Sequence, residues 1–323
     1  CLRSFACGSQ FRSFLGLLKP SCHTMAVYSR ILVARGGAIG DFILTMPVFS
    51  ALKQTYPTAS IECLSPSGYG ELAKSVGLVD ACKNLDDRVW ASFFVLNGDL
   101  DDETAKWISQ FDLIVSFLYD PEETWVNNIR RTSSARFIQG CARPSDGGNQ
   151  PASITLLSVL EEIGIREADP LPKITIDANG SDCYDLVVHP GSGSELKNWP
   201  IENWIELLRA WLDRNSGRLL ILGGEAEEKK MTQLRATINS TRVSFALNRS
   251  LVSIASLLGN SRFFLGHDSG ITHLAAAIGM PVLILWGPSN MHVWSPQHKN
   301  VRLMGLKKGG NVVSPSTVLG QIG

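Results

Sequence analysis

The chain lacks an excess of either charge: 30 Lys and Arg stand against 30 Asp and Glu in 323 residues. No global field therefore draws it toward nucleic acid. It lacks any run of about 18 apolar residues, which excludes a membrane-spanning helix and leaves only peripheral membrane contact. Its cysteines, Cys1, Cys7, Cys22, Cys63, Cys82, Cys141 and Cys183, include no C-x-x-C pair and are odd in number. That excludes a zinc ribbon or a redox pair and reads as scattered reduced thiols of a cytoplasmic protein. H-E-x-x-H is absent around His267 and His273, and no Asp-x-Asp pair lies in a candidate phosphate loop, so no metal is expected. Asp268-Ser269-Gly270 lacks the glycine two places before the serine, which excludes a nucleophile elbow. No internal repeat or low-complexity tract appears.

What is present is a well-cored α/β pattern, with 44% hydrophobic and 19% charged residues. The first methionine is Met25. Residues 1–24 carry Arg3, Arg12 and Lys19 around a short apolar patch, Phe14 to Leu18, without the apolar core and cleavage site of a secretory signal. This segment is read as a non-core leader or a start assigned too early. From Arg30, short apolar runs alternate with helical segments. Strands are expected at Ile31–Ala34, Ser60–Leu64, Asp112–Phe117 and Ala135–Ile138, and helices to about Lys53 and over 69–75, 101–110 and 154–163. Residues 165–184, with Pro170, Pro172, Asn179 and Gly180, break both patterns and form the linker. The alternation restarts with strands at 186–188, 218–222, 243–246, 263–265 and 282–286. Helices are expected between them at 201–212, 225–238, 250–258 and 270–278. The reading is a first domain over 25–164 and a second over 185–323, each a doubly wound parallel sheet of Rossmann-like type. Periodicity alone also allows one long sheet.

The first strand runs into Arg35-Gly-Gly-Ala-Ile-Gly40-Asp41. Gly36, Gly37 and Gly40 suit a sharp turn that a ligand approaches closely. A dinucleotide fingerprint needs glycine where Arg35 stands, and an acid near Ser65 and Ser67, where only Glu62 lies inside the strand. A nicotinamide cofactor is not expected. Asp41 has two readings, a helix N-cap and a functional carboxylate at the carboxyl end of a strand. Pro47 should kink or restart the helix that follows.

Two elements of the second half suit phosphate. In His189-Pro-Gly-Ser-Gly-Ser-Glu-Leu-Lys-Asn-Trp-Pro200, the residues Ser192, Gly193 and Ser194 offer N–H groups and hydroxyls, and Lys197 a full positive charge. In Gly266-His-Asp-Ser-Gly-Ile-Thr-His-Leu-Ala-Ala-Ala-Ile-Gly279 a strand opens into a helix whose start is an anion site lined by Ser269, Gly270, Thr272 and His273. The plain structural alternatives are a flexible loop with a solvated lysine, and a cap at Asp268 or Ser269 with His273 facing solvent.

From about Arg30 to Trp294 these segments, with Pro281 and Trp286-Gly-Pro-Ser289, resemble the heptosyltransferase family, glycosyltransferase family 9. The resemblance implies a GT-B fold, two Rossmann-like domains facing a cleft. It implies inverting, metal-independent transfer of heptose from ADP-heptose, without a cofactor, to a lipopolysaccharide core or related lipid-linked or oligosaccharide acceptor. The place would be the cytoplasm, with peripheral contact to the inner membrane. By matching position Asp41 is the general base, with Gly37 and Gly40 on the acceptor side. Lys197 and the 269–273 helix start stabilise the diphosphate. Ser192 and Gly193 touch phosphate, Asp268 lies beside the donor sugar, and Glu227 is the ribose ligand, with Glu225 and Glu228 left open. Two departures stand out. Residues 86–103, where family members that attach the first heptose are basic, are here acidic (Asp86, Asp87, Asp99, Asp101, Asp102, Glu103). A smaller basic group, Arg130, Arg131, Arg136 and Arg143, is the substitute. Arg249 stands where the family often has a small or apolar residue. The competing readings are a sugar-nucleotide epimerase of the same fold and a non-catalytic nucleotide-sugar-binding protein.

A chain beginning at Met25 is expected to fold and to keep full activity. A lower melting temperature of that shortened chain would show that residues 1–24 pack against the body.

Overall fold

The computed structural model describes residues 27–176, 182–308 and 311–322. The expectation for 1–24 and the centre of the 165–184 linker lie outside these residues. The first half contains β1 (Arg30–Ala34), α1 (Ile39–Thr55), β2 (Ser60–Ser65), α2 (Tyr69–Ser75), β3 (Ala81–Asn84), α3 (Asp102–Ile108), β4 (Leu113–Ser116), α4 (Thr124–Thr132), β5 (Arg136–Gln139) and α5 (Ala152–Leu157). The second contains β6 (Leu186–His189), α6 (Ile201–Arg214), β7 (Leu219–Gly223), α7 (Glu228–Thr237), β8 (Val243–Leu247), α8 (Leu251–Gly259), β9 (Phe264–His267), α9 (Gly270–Ile278), β10 (Val282–Trp286), α10 (Met291–Trp294), β11 (Val301–Gly305) and α11 (Pro315–Leu319).

Strands β1 to β11 form two separate sheets, not one, in the orders β3-β2-β1-β4-β5 and β11-β10-β9-β6-β7-β8, beside a small antiparallel ribbon of Lys307–Lys308 and Asn311–Val312. Every pairing in the two sheets is parallel. The central strands are mainly apolar and almost wholly buried on both faces, as helix-covered parallel sheets require. In each sheet the first strand of the half, β1 or β6, lies between its second and fourth. The winding reverses there, and a crevice opens at the carboxyl ends of the strands. The glycine turn after β1, the loop after β6 and the turn after β9 all leave at these two reversal points.

One apolar core runs through both halves. Phe42, Met46 and Phe49 of α1 and Leu274, Ala275 and Ala277 of α9 belong to the same buried cluster. The alanines keep α9 narrow enough for α1 to lie against it. Helix α1 continues from Ile39 to Thr55 through Pro47, contrary to the expected restart. Pro47 is fully buried there, and packing on both sides holds the turn together despite its missing N–H. The helix expected over 154–163 is instead α5 followed by a 3₁₀ turn, Ser158–Ile163, that ends at Gly164 with φ 84°. The acidic 86–103 segment folds around a 3₁₀ turn, Arg88–Phe94, that buries Trp90 and Phe93 beside Trp125. Asp101 caps α3 there, accepting from the Thr104 N–H at 2.8 Å.

The loop after β6 is pinned by a buried histidine. His267, at the end of β9, accepts the Trp199 N–H on Nε2 at 2.8 Å, and its Nδ1 lies 3.4 Å from Gly191 O. Trp199 is itself buried and donates its indole N–H to Val313 O. This arrangement needs a neutral ring with the proton on Nδ1. Burial pushes the His267 pKa down to about 3. Between that value and the ordinary histidine value of about 6.5, the unfolded chain binds a proton that the native chain refuses. Stability therefore falls as pH falls through this window. The melting temperature should drop from pH 6.5 to 4.5, and His267→Gln should flatten that slope. An equal slope in the variant would remove His267 from the account.

Candidate functional site: two helix starts across a cleft

The turn after β1 needs glycine at Gly37, where φ is +86°. Ala38 is the N-cap of α1 and Asp41 the third helical residue, so Asp41 is not the cap itself. Its Oδ2 accepts the Ala38 N–H at 3.1 Å, the N3 half of a capping box whose other half Ala38 has no side-chain oxygen to supply. Its Oδ1 lies 3.9 Å from Arg35 Nη2, and the side chain is 19% exposed. Asp41 thus serves the helix with one oxygen and presents the other at a cleft.

Helix α9 begins across that cleft. Ser269 is its N-cap and accepts the Thr272 N–H at 3.4 Å. Gly270 meets the start of α1: a Cβ there would collide with the Ile39 side chain and stand 2.9 Å from Gly40 N. Two helix N-termini, each partly positive, therefore converge on one spot. The cleft around it has two lobes, whose linings share Gly193, Ser269 and Gly270.

The smaller lobe, about 430 Å³, is lined by Gly40, Asp41, Lys197, Asp268, His273 and Arg143, among others. Lys197 Nζ lies 2.6 Å from Asp268 Oδ2, a pair in which the acid is almost fully buried. His273 is buried rather than solvent-facing. Burial pushes its pKa down, and the neighbouring Asp268 and Asp41 carboxylates oppose that push. Among the described residues no group of three or more His, Cys, Asp or Glu side chains is arranged to hold a metal ion.

The larger lobe, about 770 Å³, lies along the ends of β7 and β8 and includes Gly224, Glu225, Glu227, Asn248, Arg249 and Ile254. The expected ribose ligand Glu227 lines it, and of the two glutamates left open beside it Glu225 does and Glu228 does not. Glu227 is buried, and its Oε2 accepts the Gly224 N–H at 2.8 Å and lies 3.8 Å from His189 Nε2. Burial alone would raise its pKa, but the His189 imidazole and the Gly224 N–H hold it below the usual carboxylate range. A Cβ at Gly191 would collide with this carboxylate, which explains the glycine.

Three expectations change. Thr272 lines neither lobe, because its buried hydroxyl donates to His267 O at 2.5 Å. Ser192 borders the larger lobe, but its Oγ lies 2.9 Å from both Ser194 O and Asn198 Oδ1 and so shapes the loop from within. The four arginines form no group. Arg131 donates to Gly98 O and Arg136 to Glu162 O, and of the four Arg143 alone lines the smaller lobe. Arg143 stacks over the Trp294 ring at 5.3 Å and approaches Asp146 at 4.0 Å.

Sequence reasoning missed Arg35 and the 146–148 loop. Trp294 Nε1 donates to Asp146 Oδ1 at 2.5 Å, and Asn290 Nδ2 donates to Asp146 O and Gly148 O, so this first-half loop clasps the second half. No local spacing signals a clasp between residues so far apart in sequence.

Comparison with known proteins matches this geometry. Residues 162–316 match the family description "Glycosyltransferase family 9 (heptosyltransferase)". Over 292 residues the chain is 33% identical to lipopolysaccharide heptosyltransferase 1 of Pseudomonas aeruginosa, covering 81% of this chain and 79% of that one. The fold is that of E. coli ADP-heptose lps heptosyltransferase II, with TM-score 0.73, 17% identity and coverage of 91% and 97%. E. coli heptosyltransferase WaaC with ADP shares it at TM-score 0.70, 17% identity and coverage of 91% and 98%. With a GT-B fold, two facing helix starts and a relative of this similarity along most of its length, the chain belongs to glycosyltransferase family 9, the heptosyltransferases.

Proposed function

We propose that the chain transfers heptose from ADP-heptose to a hydroxyl of a lipopolysaccharide-core or related glycan acceptor, with inversion and without a metal. One observation carries this reading: Asp41 on α1 faces Lys197 and the start of α9 across a single cleft. The nucleotide occupies the larger lobe with Glu227 at the ribose, and the diphosphate lies at the shared Gly193, Ser269 and Gly270. The acceptor enters the smaller lobe. The solved heptosyltransferase that holds ADP on the same fold supports the choice of nucleotide. Residues 25–164 then form the acceptor domain, 185–323 the donor domain and 165–184 the linker between them. Among the described residues no helix is long and apolar enough to cross a membrane. Contact with a lipid-linked acceptor is peripheral in this reading, on the cytoplasmic face of the inner membrane.

The chemistry follows from the charges. Asp41 takes the proton of the acceptor hydroxyl, whose oxygen forms a bond to the anomeric carbon from the face opposite the diphosphate. The bond from that carbon to the phosphate oxygen breaks, and its electron pair stays on the leaving diphosphate. Lys197 and the free N–H groups at the start of α9 stabilise that growing charge without reorganising. Asp268 holds Lys197 in place beside the donor sugar.

Asp41→Asn keeps the capping contact and removes the base. Turnover should fall roughly 10²–10⁴-fold, with ADP affinity nearly unchanged. Turnover within a factor of three of wild type sinks the assignment. Lys197→Ala should weaken ADP binding, slow transfer and lower thermal stability, since Asp268 is left buried without its cation. Calorimetric titration of ADP, UDP and GDP ranks the donors, and a preference for UDP discards ADP-heptose. Donor consumption that proceeds equally well without acceptor would favour the epimerase reading.

EDTA should leave the rate unchanged. Activity lost to EDTA and restored by magnesium or manganese contradicts metal-independent transfer.

A further inference from the structure

Arg35 is spent on neither the sheet nor the surface. It follows β1 directly, is 1% exposed and ranks among the largest fully buried side chains. Nη1 donates to Ala142 O at 2.6 Å and reaches Phe117 O at 3.3 Å. Nη2 lies 3.9 Å from Asp41 Oδ1, its carboxylate within ion-pair reach. Nε and Nη2 are buried without a hydrogen-bond partner. Burial lowers the pKa of this guanidinium, with Asp41 and Cys141 acting the other way. An apolar side chain would fill the space without the cost of desolvating a cation and leaving two nitrogens unpaired. Packing alone does not explain an arginine here.

The surroundings of Asp41 supply the explanation. Oδ2 is committed to the Ala38 N–H, so Oδ1 is the oxygen free to accept a proton, and Oδ1 is the atom that faces Arg35. The other end of the fork holds Ala142 O, the residue before Arg143 in the loop that carries Asp146 to the second half. One buried cation therefore touches the base and the root of the facing wall. Resting on the reading of Asp41 as the base, we propose that Arg35 is a positioning residue, which aims the free oxygen of Asp41 into the acceptor lobe and fixes its distance from the 142–148 loop. A reacting group misplaced by about 1 Å costs on the order of 10²-fold in rate, which sets the scale of the effect.

The test is a double-mutant cycle on the full chain, with kcat and the calorimetric affinity for ADP as readouts. Arg35→Met should lower kcat by roughly 10²-fold and change ADP affinity by less than about twofold. Arg35→Lys keeps a cation and should recover much of the loss. In the Asp41→Asn background either Arg35 change should remove little more, because Arg35 acts through a group already gone. Equal fold losses in both backgrounds overturn the proposal, as does a loss of ADP affinity that matches the loss of kcat. Should Arg35→Met fail to fold, Arg35→Lys carries the cycle alone. Its smaller loss must vanish beside Asp41→Asn, and a loss that persists overturns the proposal. Asp41→Asn with turnover near wild type is a separate failure: it removes the base reading and this inference with it.

Discussion

Helices α1 and α9 meet start to start, with Gly40 and Gly270 at the contact and no room for a Cβ on Gly270. Two ends of like partial charge do not settle against each other without compensation. The compensation is visible on both sides. Asp41 closes the first turn of α1, and Asp268 stands just ahead of the α9 cap and holds Lys197. The shared core of Phe42, Met46, Leu274 and Ala277 keeps the helices together below this point. Remove the close approach and neither the cleft nor its opposed charges would exist.

The charged groups around the cleft are partnered in a way that separates structure from chemistry. Glu227 leans on His189 and a backbone N–H, Lys197 on Asp268, and His267 remains neutral to receive the Trp199 N–H. A buried histidine kept uncharged holds the loop without adding charge to the region proposed for the diphosphate. Arg143 and Arg249 stand toward the lobes from the two halves, and the sequence had singled out both, Arg143 within the substitute basic group and Arg249 near the nucleotide.

Much of the fold could be read because parallel strands buried on both faces are short, mainly apolar runs, and a helix such as α9 opens at a capping serine, Ser269, and closes at a left-handed glycine, Gly279. Tyr69–Ser75 and Gly270–Ile278 stand where the pattern put them. Of the edge strands, β5 and β8 were legible and β3 and β11 were not. Strand β11 exposes Arg302, Leu303 and Gly305, and β3 is partly exposed along its length, so neither carries the buried signature. Helix α4 has a polar composition and starts after Glu123 in the left-handed region, where no capping residue announces it. At the site, the sequence located Asp41, Lys197, Asp268 and the α9 start, because turns after parallel strands point one way. It could not tell that the Thr272 and Ser192 hydroxyls turn inward, since one residue of helix or loop phase decides that. Arg35 looked only like a missing glycine, because its role depends on Ala142, more than a hundred positions away.

The two lobes are joined at Gly193, Ser269 and Gly270, two of which have no side chain. In the proposed assignment the junction of the donor and acceptor lobes is thus built largely from main chain, and Gly270 there has no room for a Cβ. Arg143 and Trp294 line the lobe proposed for the acceptor, and Asn248 and Arg249 the lobe proposed for the nucleotide. Lys197 and Asp268 also line the lobe proposed for the acceptor, so the separation concerns the outer residues of each lobe. An architecture of this kind lets a lineage exchange one partner of the reaction while inheriting the other intact, so diversity of glycan acceptors can accumulate on an unchanged activated sugar.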